Sequence, residues 1–138
     1  MSNSKRAKVT CIIGCGTPPS PTYAIDTGSV PATEVVHPHH TGLRLRPALK
    51  HMGITKRRVG AEIQIYSPGG GINKHQHEGA VHVLYILEGA ADYTIGEQTY
   101  RAGPGTMLYL PERVPHSMEV VGKKNLILVW FDGPAPEG

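Results

Sequence analysis

A chain of 138 residues is long enough for one domain with its own core and too short for two comfortable ones, and 17 Gly and 12 Pro leave little room for long helices. The net charge of +3 lies in short basic clusters, Lys5, Arg6 and Lys8 and then Lys56, Arg57 and Arg58, with no interleaved aromatics and no helix-turn-helix or finger spacing, which excludes the usual nucleic-acid binders. Cys11 and Cys15 are too few for a disulfide framework, and the short apolar run around them is broken by Gly14 and Gly16, so neither a secretion signal nor a membrane span is expected and the address follows as cytoplasmic.

Taken in chain order, residues 1–50 form a loop-rich N-terminal arm, punctuated by Thr17-Pro18-Pro19-Ser20-Pro21 and by His37-Pro38-His39-His40. Short strands are expected at Val9 to Ile13 and Glu34 to Val36. An arm of this kind adds to a sheet edge, its own or a partner's, so a homodimer joined through it is the expected assembly. The 37–40 histidines read as a solvated turn, with the alternative that they or His51 fold over the mouth of the domain.

From residue 51 onward, and most clearly from Val59, β-prone runs alternate with turn residues at intervals of about ten, the rhythm of a sandwich or barrel. Expected strands are Glu62 to Tyr66, stopped by Ser67-Pro68-Gly69; Val81 to Leu87; Ala91 to Ile95; Thr99 to Arg101; Met107 to Leu110; Met118 to Val121; and Leu126 to Phe131. The fold class is therefore all-β, one barrel with an irregular N-terminal extension.

Four of the eight histidines lie beyond Val59. His75 and His77 are two apart, which in a strand points both imidazoles to one face. His82 opens the next apolar strand, and His116 stands at the head of a much later one behind Pro111 and Pro115. A closed barrel can bring the four together, and neutral imidazole is the commonest ligand of Zn, Cu, Fe and Ni.

At this point the chain resembles a known family, the cupins. Their first motif, G-x(5)-H-x-H-x(3,4)-E-x(6)-G, is matched by Gly69, His75, His77 and Gly89, with His82 in the place of Glu. Their second, G-x(5)-P-x-G-x(2)-H-x(3)-N, is matched by Gly105, Pro111 and His116, with Arg113 in the place of the turn Gly and Val120 in the place of Asn. The resemblance covers roughly residues 59 to 131. It implies a double-stranded β-helix, or jelly-roll, holding one divalent transition metal (Fe, Mn, Ni, Cu, Co or Zn) on His75, His77, His82 and His116.

Four neutral imidazoles leave the whole charge of a divalent ion uncompensated, which strengthens it as a Lewis acid and turns its preference from hard oxygen-loving ions toward nitrogen-loving ones. An oxygenase-type oxidoreductase acting on a small, largely apolar substrate is the function expected first. A non-redox lyase, isomerase or cyclase, or a binding module without catalysis, is the alternative. Strand alternation turns Leu84, Ile86 and Met118 inward with the histidines and Tyr85 outward. Arg113, Glu62 and Gln64 are the polar groups placed to reach a substrate; Tyr85, Tyr109 and Trp130 read as plain core or surface pairs.

Overall fold

The structure, a computed structural model, describes residues 22–137. The strand expected at Val9 to Ile13, the two cysteines and the first proline cluster lie outside the described residues. The described chain is built almost wholly of strands. After a single 3-10 turn at Thr27–Ser29 come β1 (Thr33–Glu34), β2 (His40–Arg46), a one-turn helix α1 (Ala48–His51), β3 (Gly60–His75), β4 (Ala80–Glu88) and β5 (Ala90–Ile95). They are followed by β6 (Gln98–Ala102), β7 (Met107–Leu110), β8 (His116–Val121) and β9 (Leu126–Pro134). All pairings are antiparallel, in the order β6-β5-β8-β3-β9-β4-β7, with β2 added along β3 and β1 along β2. The sheet rolls into a nearly closed barrel, so the all-β expectation holds.

β3 is the hinge of this roll. Its first half pairs with β9, from Gly60 opposite Asp132 to Tyr66 opposite Leu126. Its second half pairs with β8, from Gly71 opposite Glu119 to His75 opposite His116. The sequence stops this strand at Ser67-Pro68-Gly69, whereas the chain continues extended through it to His75. The proline is tolerated because residues 67–70 form a bulge without ladder partners, where β3 changes neighbours. Gly69 keeps a left-handed φ of +81° inside this bulge, and the two glycines after it serve close packing: a Cβ on Gly70 would stand 2.6 Å from the Thr41 carbonyl oxygen, and one on Gly71 2.4 Å from that of Met118.

The two sets of strands face each other across one apolar core. Leu84 and Ile86 of β4, Leu108 and Leu110 of β7, and Leu126 and Leu128 of β9 meet Ala91 and Tyr93 of β5, Ala102 of β6 and Met118 of β8. Leu84, Ile86 and Met118 are buried and Tyr85 is exposed, as alternation requires. Each fully buried aliphatic side chain contributes about 1.5–3 kcal/mol of transfer free energy.

The stretch before residue 50 holds more regular structure than its prolines suggest. β2 runs for seven residues, and Leu43 and Leu45 turn toward the core while Arg44 and Arg46 alternate with them. α1 lies against β3, and Val30, Ala48 and Met52 are buried along with Ile65 of that strand. Arg46 Nη1 donates to the Val30 carbonyl at 2.5 Å, and Thr22 N to that of Met52 at 3.0 Å, which tie the segment down.

Candidate functional site

The four barrel histidines come from three strand ends and one corner. His75 ends β3 and His116 opens β8, directly paired across the ladder, which sets their ring centroids 4.5 Å apart. His77 sits just beyond β3, 5.1 Å from His116 and 4.2 Å from His82 of β4. The loop carrying His77 is fixed from the opposite turn: Arg113 N donates to the His77 carbonyl at 2.8 Å and Gly79 N to Glu112 Oε2 at 2.9 Å.

Hydrogen bonds orient two of the rings. Nδ1 of His75 donates to the Asn73 carbonyl at 2.9 Å and Nδ1 of His116 to that of Val114 at 3.2 Å. A neutral imidazole has one proton, so each bond leaves a bare Nε2. His77 is different: both of its ring nitrogens are buried without a partner, a debt of about 1–3 kcal/mol for an unmet polar group. Burial lowers the pKa of His82 to about 4, helped by neighbouring His77, and does the same for His116, so both rings are neutral at neutral pH. Neutral, closely spaced rings with free nitrogens suit a cation, and His77 is the strongest sign of fit. Even so, the nitrogens do not converge on a point: among the described residues no three or more His, Cys, Asp or Glu side chains are arranged as a finished ligand set.

These rings line a cavity of about 510 Å³. Leu84, Leu110, Ile72 and Trp130 supply its apolar wall, and Tyr93, fully buried, has a hydroxyl without a partner. Trp130 is more than the core or surface residue the sequence suggests; its ring stands 4.9 Å from that of His82. The alternation Leu126, Leu128, Trp130 was the signal for its inward aim.

The remaining wall comes from the arm. His37, His39 and His40 line the same cavity: the turn they form is exposed at His37 and half-buried at His39 and His40, so it does more than face solvent. His39 stacks on His75 with centroids 4.5 Å apart and planes 4° from parallel, and His37 meets His40 edge-on at 4.6 Å. His40 Nδ1 is 2.7 Å from the Tyr66 hydroxyl. Its pKa is lowered to about 4, chiefly by burial and then by His37. His51, by contrast, is exposed at the end of α1 and lines no part of the cavity.

Of the polar candidates, Gln64 lines the cavity, while Glu62 is half-buried behind it and reaches it only through the Gln64 side chain. Burial raises the Glu62 pKa, partly offset by that hydrogen bond. Arg113 is a correction: its side chain is exposed at the rim, 3.7 Å from Glu78, and does not line the cavity. Its backbone is what matters, since φ is 59° at this non-glycine position.

Residues 62–132 match the family described as Cupin domain. An uncharacterized protein of Methanocaldococcus jannaschii, MJ1618, is 28% identical over 60 residues; the match covers 44% of this chain and 48% of that one, so the chain spans about half the length of this curated relative. Among solved structures, a predicted oxalate decarboxylase from Thermotoga maritima has a TM-score of 0.69 at 17% identity, covering 81% of this chain and 99% of that one. The polyketide cyclase RemF from Streptomyces resistomycificus has a TM-score of 0.68 at 24% identity, covering 83% and 80%. The cupin domain of Schizosaccharomyces pombe Cnp3 gives 0.66 at 15%, covering 80% and 73%. At these identities the likeness is one of fold.

Proposed function

The chain belongs to the cupin family, and from that premise we propose that it is a metal-dependent enzyme whose ion is held by His75, His77, His82 and His116 and whose substrate is small, largely apolar and oxygen-bearing. The observation that carries the reading is His77: a half-buried imidazole whose two nitrogens are both buried and unmet, packed between two other histidine rings on the cavity. A bound divalent transition ion supplies a Lewis-acidic centre for a carbonyl, enol or phenol oxygen, and a redox-active one also supplies electrons for O₂ chemistry.

The protein's own share is selection and orientation. Leu84, Leu110, Ile72 and Trp130 take up apolar surface and exclude water, which sharpens every polar contact inside. The unpaired Tyr93 hydroxyl offers a hydrogen bond to a substrate oxygen. Oxygenase-type oxidation of such a substrate is the first reading. A non-redox lyase, isomerase or cyclase is the second, favoured by His37, His39 and His40 on the cavity wall, where they can take and return a proton.

The test is elemental analysis of protein purified without a histidine tag, paired with oxygen-uptake assays on a panel of phenols, diketones and alkenyl arenes. Near-stoichiometric Fe, Cu, Mn or Co with substrate-dependent O₂ uptake supports the first reading; Zn or Ni with substrate turnover and no O₂ uptake supports the second. His116→Ala is expected to weaken metal binding by about tenfold or more while the far-ultraviolet circular dichroism stays that of the wild type. Equal metal content in the two proteins sinks the four-histidine centre.

A further inference from the structure

Four polar side chains run in line from behind the cavity to its wall, and their chemistry gives the line a direction. Glu62, Gln64 and Tyr66 alternate along β3, so all three share one face of the strand. Gln64 Nε2 donates to Glu62 Oε2 at 3.2 Å, the Tyr66 hydroxyl donates to Gln64 Oε1 at 3.3 Å, and the same hydroxyl oxygen stands 2.7 Å from His40 Nδ1.

A carboxylate only accepts, so it takes the amide N–H of Gln64 and turns the amide oxygen the other way. That oxygen also only accepts, and the Tyr66 hydroxyl stands as its donor, which commits the single phenol proton. The Tyr66 oxygen then has only lone pairs to offer His40, whose Nδ1 must carry the proton. Above its ordinary pKa an imidazole has one proton and no more. Nε2 of His40 is therefore bare, and among the described residues the ring's hydrogen bond is the one through Nδ1. Left to itself in water, a histidine side chain favours the opposite form, protonated on Nε2; which nitrogen carries the proton is set by the bond that the other makes.

We propose that Glu62, Gln64 and Tyr66 hold His40 in its Nδ1–H form so that Nε2 accepts a hydrogen bond from a substrate hydroxyl in the cavity. His40 is then a specificity-determining residue, and the other three are positioning residues that act through it. The substrate class narrows to compounds that carry an O–H beside the oxygen given to the metal, such as catechols, enols of diketones and α-hydroxy ketones. The acceptor role rests on the cavity being the substrate site; the proton's position on His40 does not.

Two measurements separate these. The metal-free full-length protein, labelled with ¹⁵N-histidine, is read at pH 8 by long-range ¹H–¹⁵N correlation, with the His40 signals identified by their loss in His40→Phe. The wild type is expected to show His40 protonated on Nδ1. Tyr66→Phe keeps the ring packing, removes the acceptor and moves His40 to the Nε2–H form, while His116, held by the Val114 carbonyl, does not change. Glu62→Gln frees the amide of Gln64 to turn and gives a mixture. An Nε2–H His40 in the wild type overturns the proposal without recourse to any variant.

In the second measurement the zinc-loaded protein is titrated with catechol and with its monomethyl ether, guaiacol, which lacks the second O–H. The wild type is expected to prefer catechol by about tenfold or more, and both His40→Phe and Tyr66→Phe to reduce that preference to about twofold. A preference that survives in both variants overturns the acceptor role, and so does failure of the zinc-loaded wild type to bind either phenol. Failure to take up zinc, with His40 still protonated on Nδ1, sinks the metal-centred reading and leaves the relay standing.

Discussion

Gly89 leaves β4 at a φ of +78°, and a Cβ there would stand 2.3 Å from the Asn125 carbonyl oxygen. Both the left-handed backbone and the approach of another strand forbid a side chain. Gly89→Ala is expected to cost about 2–4 kcal/mol in urea unfolding; a midpoint unchanged from the wild type would show that this corner relaxes freely. Arg113 teaches the complement. The motif asks for glycine there, the chain supplies arginine, and the left-handed turn is kept all the same, because the backbone bond to His77 needs that geometry. Sequence spacing thus revealed the conformational demand even where the residue type had changed, but it could not show that the Arg113 side chain points away from the chemistry. The histidines give a second prediction at this scale. His40, His82 and His116 have folded pKa values near 4 against an ordinary 6.5, so between those values the unfolded chain binds protons that the folded chain refuses. Stability of the metal-free protein is therefore unaffected above about pH 6.5 and falls as the pH is lowered through that window. Urea midpoints at pH 7.5, 6 and 4.5 check the sign, and a flat profile would contradict it.

At the level of the elements, the barrel strands were legible because their signals are local. Alternation and turn residues marked β4, β5, β7 and β9 to within a few residues at each end. β2 was harder, although Leu43-Arg44-Leu45-Arg46 alternates cleanly; the glycine and the clustered histidines before it gave no local reason to expect a strand. Its place is decided by β3, whose Tyr66 and Gln64 stand opposite Leu43 and Leu45. The same non-local cause hid the hydrogen-bonded line from Glu62 to His40, since spacing put three of its members on one face but nothing in the sequence joined them to the fourth. Leu43 is the residue that seats β2 in the core. Leu43→Ala is expected to cost about 2–4 kcal/mol and to broaden the ring signals of His40 in the spectra described above. A loss of stability with His40 undisturbed would mean that the arm is held elsewhere.

For the molecule as a whole, the fold and the gathering of the four barrel histidines at one end of it were the readable part, and the arm was not. Residues 22–46 looked like an appendage because proline-pinned turns and short apolar runs carry no periodic signal, yet they complete one side of the cavity. If the four barrel histidines hold the ion, binding is linked to folding of the entire barrel, because His75 and His116 meet only when β3 and β8 pair. Zinc at about a hundred times its dissociation constant is then expected to stabilise the wild type by about 2.7 kcal/mol against urea and to do little for His116→Ala. Equal stabilisation of both would place the ion somewhere other than this site.

The family match begins at residue 62, while His37, His39 and His40 lie before it. The residues proposed to grip the ion and the apolar wall thus lie within the matched stretch, while one histidine-bearing side of the cavity comes from the segment before it. A graft of residues 22–46 from a relative would therefore recut one side of the cavity and leave the other walls as they are, much as a new key is cut for an old lock barrel.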